Sequence, residues 1–357
     1  MNIIDDVERM RALDPENMYN RIFDLPEQLL EALKIATSWN VPVDNFADIK
    51  NILVIGMGGS AIGGDMVRSL LGSQLLIPFQ VCRHYQLPEY VDDETLVIVS
   101  SYSGNTEEML SALDDALHRK AMLAAITTGG MLEDLAGLNA IPVAMIPAGL
   151  QPRAAIGYSF VPLLVFMEKV GLVQGMSDQI EQAAARLITL RENYIESESW
   201  EKNPAKRLAT QIHGRMPIIY SGPTLTDVIA VRWKGQICEN AKNMAFANHY
   251  AEFNHNELVG WSDIIAAHRD HLAVIQLFDA DDHPKILRRM EIVGKLIEKQ
   301  GVPVMEVRSI GQTALERMLS LVQFGDFVSY YLAILNEVDP TPVAVIETLK
   351  KALSNSA

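Results

Sequence analysis

Residues 51–64 read NILVIGMGGSAIGG. Ile52, Leu53, Val54 and Ile55 form an unbroken apolar run, three of them β-branched, which suits a short strand buried in a sheet. The run passes directly into a turn holding Gly56, Gly58, Gly59, Gly63 and Gly64, and a helix is predicted to follow over 65–71. Strand, glycine turn, helix is the repeating step of an open parallel α/β sheet. Ligands of such sheets bind in the crevice at the carboxyl ends of the strands.

The same step recurs outward from this stretch. A strand at 95–100 (TLVIVS) leads into the polar turn 102–106 (YSGNT) and a helix over 107–119. A strand at 122–127 (MLAAIT), a turn at 128–130 and a short helix follow, and 141–146 reads as a fourth strand. Ahead of the first strand, 26–36 (PEQLLEALKIA) carries a helical stripe of Leu29, Leu30, Leu33 and Ile35, opened by Asp24 or Pro26. Helices are predicted over about 154–170 and 177–197, the second polar on one face and suited to a link. Then the plan restarts, with a strand at 216–220 (MPIIY), a turn at 221–226 (SGPTLT), a helix at 227–239, and further strands at 271–277 and 302–307. Residues 53–68 and 218–232 share one outline, apolar strand, Gly/Ser turn, helix. The expected fold is therefore α/β, with two doubly wound parallel-sheet units of flavodoxin-like sandwich form. They divide into residues 1–170 and 171–357, the second including the linking helix.

Composition narrows the classes. With 357 residues, 49% hydrophobic and 21% charged, the chain can fill two cores and does not read as disordered. Lys and Arg number 30 against 45 Asp and Glu, a formal charge of −15. Such a chain lacks the basic field of a general nucleic-acid binder, and no nucleic-acid partner is expected. Local donors can still hold a small anion. The apolar run 160–166 ends at Glu168 and Lys169, too short to span a membrane. The acidic start, MNIIDDVER, lacks the apolar region of a signal peptide. Only Cys82 and Cys238 are present, so neither a disulfide framework nor a Cys-based zinc site is implied, and a cytoplasmic location is expected.

Two loops carry the chemistry. The glycines of 56–64 allow backbone N–H groups to approach a ligand beside a helix N-terminus. The loop is not a P-loop, and its Ala61 breaks the dinucleotide spacing. Taken alone, it can equally be a tight strand–helix turn. The second loop, Ser101-Tyr102-Ser103-Gly104-Asn105-Thr106, places three hydroxyls before a helix start that needs only one capping residue. Several hydroxyls with free helix N–H groups suit a phosphate dianion. A glycine loop and a hydroxyl loop, both at strand carboxyl ends, imply a phosphosugar site.

Gly58-Gly59-Ser60 followed by 101–106 resembles the sugar isomerase (SIS) fold family. Residues 24–28 (DLPEQ), Pro152-Arg153-Ala154, Glu239-Asn240-Ala241-Lys242, Phe253-Asn254-His255-Asn256-Glu257 and 341–350, in this order, resemble the bifunctional phosphoglucose/phosphomannose isomerases. The resemblance implies two SIS-type units and an aldose–ketose isomerase that interconverts glucose 6-phosphate and mannose 6-phosphate with fructose 6-phosphate through a cis-enediolate. It implies Glu239 as the base moving a proton between C1 and C2; an apolar pocket would raise such a carboxyl toward ~6–7. It implies His255 as ring opener, donated across a homodimer interface, and Lys350, beside Lys351, as its assistant. Arg153 would steady the enediolate with a fixed positive charge. Gly58, Gly59, Ser60, Ser101, Ser103 and Thr106 would hold the sugar phosphate.

This proton-transfer route needs no cofactor and no metal. His249, His255 and Glu257 are the nearest metal-like set, but they lack helical ligand spacing. Two other readings stay open: a non-catalytic phosphosugar-binding regulator, which would need the hydroxyl loop but neither Glu239 nor His255, and an isomerase of another sugar phosphate.

Overall fold

The computed structural model describes residues 3–354. Two short helices, α1 (Val7–Leu13) and α2 (Met18–Phe23), precede α3 (Leu25–Ser38). The first unit then runs β1 (Asn51–Ile55), α4 (Gly58–Leu71), β2 (Phe79–Cys82), β3 (Thr95–Ser101), α5 (Glu107–His118), β4 (Met122–Thr127), α6 (Gly130–Leu138) and β5 (Val143–Met145). Three helices follow: α7 (Ile156–Lys169), α8 (Met176–Arg191) and α9 (Pro204–Ile212). The second unit comprises β6 (Met216–Ser221), α10 (Asp227–Ala241), β7 (Phe246–His249), β8 (Leu272–Phe278), α11 (Pro284–Lys299), β9 (Val304–Arg308), α12 (Ala314–Leu335) and α13 (Ala344–Ser354).

Both sheets are parallel throughout. The first has strand order β2-β1-β3-β4-β5 and the second β7-β6-β8-β9. The two α/β units expected from the strand–turn–helix repeat are present. In each sheet the strand order reverses beside the first strand, at β1/β3 and at β6/β8. The loops after β1 and β3 therefore flank the crevice where such sheets take ligands. β1 and β3 are buried almost from end to end, as the apolar runs require.

The units share one core. It runs from Leu29, Trp39 and Phe166 through Tyr194 and Leu208 to Trp233 and Phe327. α12 lies at its centre, packed against α8, α9 and α10, while α4 packs on both α7 and α10. α12 is long and apolar enough to cross a membrane by length and composition, but its surface is almost wholly covered by the fold.

The helices α1, α2 and α9, the strands β2 and β7 and the start of α4 depart from expectation. β2 and β7 were not anticipated: each has four residues and lies at a sheet edge, β2 mixing buried with exposed positions and β7 having no buried one, so neither shows a buried-strand run. α4 begins at Gly58 rather than at residue 65. Its glycines are helical contact points, not a long turn. A Cβ at Gly59 would lie 2.5 Å from the Pro152 carbonyl oxygen, and one at Gly63 would lie 2.9 Å from that of Ser159. The turn after β1 is only Gly56 and Met57.

Candidate functional site

The hydroxyl loop is built around Gly104. With φ of +68° and the Gly129 carbonyl oxygen 1.7 Å from where a Cβ would stand, that position accepts only glycine. Tyr102 anchors the loop, donating its hydroxyl proton to Pro147 O at 3.0 Å and accepting from Leu150 N–H at 3.0 Å. The same contacts fix the strand of chain leading to Arg153.

Within this frame the Ser101 and Thr106 hydroxyls lie 3.1 Å apart. Thr106 sits at the N-cap of α5, yet no side chain caps the helix there. Its hydroxyl is turned to Ser101 instead. Ser103 is exposed and its Oγ accepts from Asn105 N–H at 3.3 Å. Ser60, in the first turn of α4, is buried, and its Oγ accepts from Tyr102 N–H at 3.1 Å. That bond ties the two loops together, so four hydroxyls and the starts of α4 and α5 share one end of the sheet.

Beside Ser60 a cleft of about 240 Å³ opens between α4 and α10, lined by Gly58, Gly59, Arg83, Arg153, Arg232, Lys234, Gln236 and Glu239 among others. Arg153 is only 5% exposed. Its Nε donates to Asn240 Oδ1 at 2.6 Å, and Nη2 donates to the carbonyls of Pro340 and Thr341 at 2.9 and 2.8 Å. Nη1 remains for the cleft, where it donates to Glu239 Oε2 at 3.3 Å. Burial lowers the Arg153 pKa from the usual guanidinium value, and the nearby Glu239 carboxylate opposes that shift. Close contact of Gly59 with Pro152 is what brings the α4 terminus up to this arginine.

Glu239 stands in the last turns of α10, its side chain 37% exposed. On one side Glu239 lines an apolar cavity with Cys238, Met244, Val343 and Ile346, and on the other it faces the cationic cleft. Its partner is a buried cation, and its neighbours along the helix, Gln236 and Arg232, are polar. Arg232 donates to Asp326 Oδ2 at 2.6 Å and Gln236 to Asp326 Oδ1 at 2.7 Å, locking α10 to α12 beneath the cleft. The residues 232, 236 and 239 fall on one helical face, a signal the sequence offered and the reading passed over. Arg83 and Lys234 carry no such signal. They join the cleft only through the fold, and Arg83 is held by Asp65. Four cationic side chains thus line one cleft of a chain with formal charge −15.

His255 and Lys350 do not join this cluster within one chain. His255 is exposed at the end of the turn Glu252–His255 after β7, held in place by Phe253, whose ring stacks on Tyr220 at 4.3 Å. Glu257 is occupied structurally, accepting from Asn248 Nδ2 at 2.6 Å and from the Tyr220 hydroxyl. Lys350 is exposed on α13, a helix whose Val345, Leu349 and Leu353 are exposed too. Among the described residues, no hydrogen bond or ion pair joins His255 or Lys350 to Arg153 or Glu239.

Known proteins resemble this chain closely. Residues 45–141 match the SIS domain, and residues 201–353 match the bacterial phospho-glucose isomerase C-terminal SIS domain. A bifunctional phosphoglucose/phosphomannose isomerase of Caldicellulosiruptor bescii is 46% identical over 94% of this chain and 99% of its own length. One of Thermoplasma acidophilum is 37% identical over 85% of this chain and 90% of its own. The solved tagatose-6-phosphate ketose/aldose isomerase of Escherichia coli superposes with a TM-score of 0.70 at 16% identity, covering 91% of this chain and 95% of that one, which shows the shared fold. With SIS models matched in both units and a full-length relative at 46% identity, the chain belongs to the bifunctional phosphoglucose/phosphomannose isomerase family.

Proposed function

We propose that the protein is an aldose–ketose isomerase interconverting glucose 6-phosphate and mannose 6-phosphate with fructose 6-phosphate. The observation that carries this reading is the Glu239 carboxylate held 3.3 Å from the buried Arg153 guanidinium, in a cationic cleft beside the hydroxyl loop.

The sugar phosphate binds with its phosphate on Ser60, Ser101, Ser103 and Thr106 and the N–H groups at the start of α5. Gly58, whose Cβ position is open space, leaves room for the sugar, and Gly59 lets α4 approach Pro152 beside it. The ring opens when the C1 hydroxyl proton is taken and a proton is returned to O5. His255 of the partner subunit performs this step with Lys350. Exposure of His255, away from the cleft of its own chain, supports donation across a homodimer. In the open chain Glu239 removes the proton from C2 of the aldose, the C2–H electron pair forms the enediolate double bond, and the carbonyl pair moves to O1. Arg153 holds the resulting negative charge. Glu239 then returns the proton to C1, and a proton passes from O2 to O1. Return of the proton to C2 from either face gives either epimer.

The test is a coupled assay on EDTA-treated protein, with glucose 6-phosphate and mannose 6-phosphate supplied separately and fructose 6-phosphate read out. Turnover of both is expected. Turnover of neither, with sugar phosphate still bound, would replace this reading with that of a phosphosugar-binding regulator.

A further inference from the structure

Resting on the isomerase reading, we propose that Lys242 is a positioning residue for the reaction: its ammonium clamps the Pro340 carbonyl that Arg153 also grips, and so fixes the arginine that steadies the enediolate.

Lys242 ends α10 in the left-handed conformation, φ +53°, which folds its side chain back over the helix terminus. Its Nζ donates to the Glu239 carbonyl at 2.7 Å and crosses to the Pro340 carbonyl at 3.0 Å. Arg153 Nη2 donates to that same Pro340 oxygen at 2.9 Å. One main-chain oxygen thus receives two cationic donors, one from each side of the cleft wall. With Nε on Asn240 and Nη2 on Pro340 and Thr341, only Nη1 of Arg153 is left to face the cleft. The orientation of Nη1 therefore depends on where the 340–341 segment sits, and Lys242 is the second cation holding it. The same segment leads into α13, which carries Lys350.

A helix C-terminal lysine commonly does no more than complement the helix dipole. Two features separate Lys242 from that role. Although the residue is exposed, its Nζ bridges to another segment, and partial desolvation together with the nearby Arg153 pushes it down to about 8, with Asp339 and Glu239 opposing the shift. A clamp of this kind weakens as pH rises through about 8, because the charge that strengthens both hydrogen bonds is lost.

The experiment compares wild type, Lys242→Met and Lys242→Arg by steady-state kinetics from pH 6 to 10, with melting temperature alongside. The proposal expects Lys242→Met to lose about 10-fold or more in kcat with KM held within about 2-fold, since displaced catalytic groups cost rate rather than affinity. Lys242→Arg should restore most of the rate and move the alkaline limb above about 8. Unchanged kcat in Lys242→Met overturns the proposal, as does a loss that Lys242→Arg fails to restore. A second readout needs no turnover: the 13Cε resonance of Lys242, assigned by the Lys242→Arg spectrum, should titrate near 8 and rise in Arg153→Gln. A midpoint unmoved by Arg153→Gln contradicts the shared clamp. Wild-type inactivity on both sugars would sink the isomerase reading alone, and this titration would still decide the contact.

Discussion

At the scale of single residues, the pairing of Glu239 with Arg153 sets the chemistry. The carboxylate proposed to shuttle the proton and the cation proposed to hold the oxyanion lie 3.3 Å apart. Burial of Arg153 costs nothing in reach, because three of its contacts are to backbone and to Asn240, and the remaining nitrogen faces the cleft. The phosphate subsite is separable from this pair. Ser103 is the exposed member of the hydroxyl set, and its Oγ accepts from Asn105 N–H, so its hydroxyl proton is available to a ligand. Ser103→Ala should raise KM for either sugar phosphate by about 10-fold, the loss of one hydrogen bond to a charged group, and leave kcat nearly unchanged. Unaltered KM would remove Ser103 from the subsite.

At the scale of elements, α10 does most of the positioning. It carries Arg232, Gln236, Glu239, Asn240 and Lys242, and it is fastened to α12 through buried Asp326. Arg232 also donates to the Arg153 main-chain carbonyl at 3.2 Å, so the pair links α10, α12 and the turn that holds the arginine. Asp326→Ala strands the buried Arg232 guanidinium and should cost about 3–5 kcal/mol of stability, measured by urea unfolding. A loss below about 1 kcal/mol would show that the link is not under strain of desolvation. The strands that frame the site were legible in the sequence because they are buried on both faces, and burial leaves a continuous apolar run: β1 and β3 read directly. β2 and β7 did not, because an edge strand of four residues has one partner and is only partly covered. The start of α4 was misplaced for a different reason. Glycines spaced through 56–64 mimic a flexible turn, whereas here Gly59 and Gly63 are helical positions on which Pro152 and Ser159 pack.

At the scale of the whole molecule, the two sheets and the core they share bring α4 of one unit, to whose Ser60 the hydroxyl loop is tied, against α10 of the other. The hydroxyl loop was legible from its own residues, since three hydroxyls exceed what a helix cap requires. Glu239 and Arg153 were reached through family resemblance, because no local pattern marks two residues that meet across 86 positions of sequence. Arg83 and Lys234 were missed because their convergence exists only in three dimensions, whereas Arg232 shares a helical face with Gln236 and Glu239 that the sequence does show. His255 lies outside the cleft of its own chain, and this sets a test for the assembly. Inactive Glu239→Gln and His255→Ala proteins, mixed and allowed to exchange subunits, should recover about a quarter of wild-type activity, since half the dimers would then hold one intact site. Activity that stays at the level of the separate variants would place His255 in the site of its own chain or outside the reaction.

The central claim is that Glu239 moves the carbon-bound proton. It is tested most directly by measuring kcat of Glu239→Gln beside wild type on glucose 6-phosphate and on mannose 6-phosphate, with sugar-phosphate affinity determined by calorimetry on the same samples. With Glu239 as the base, kcat should fall by about 100-fold or more on both sugars with affinity preserved. A normal rate on either sugar, with the amide in place of the carboxylate, would contradict it.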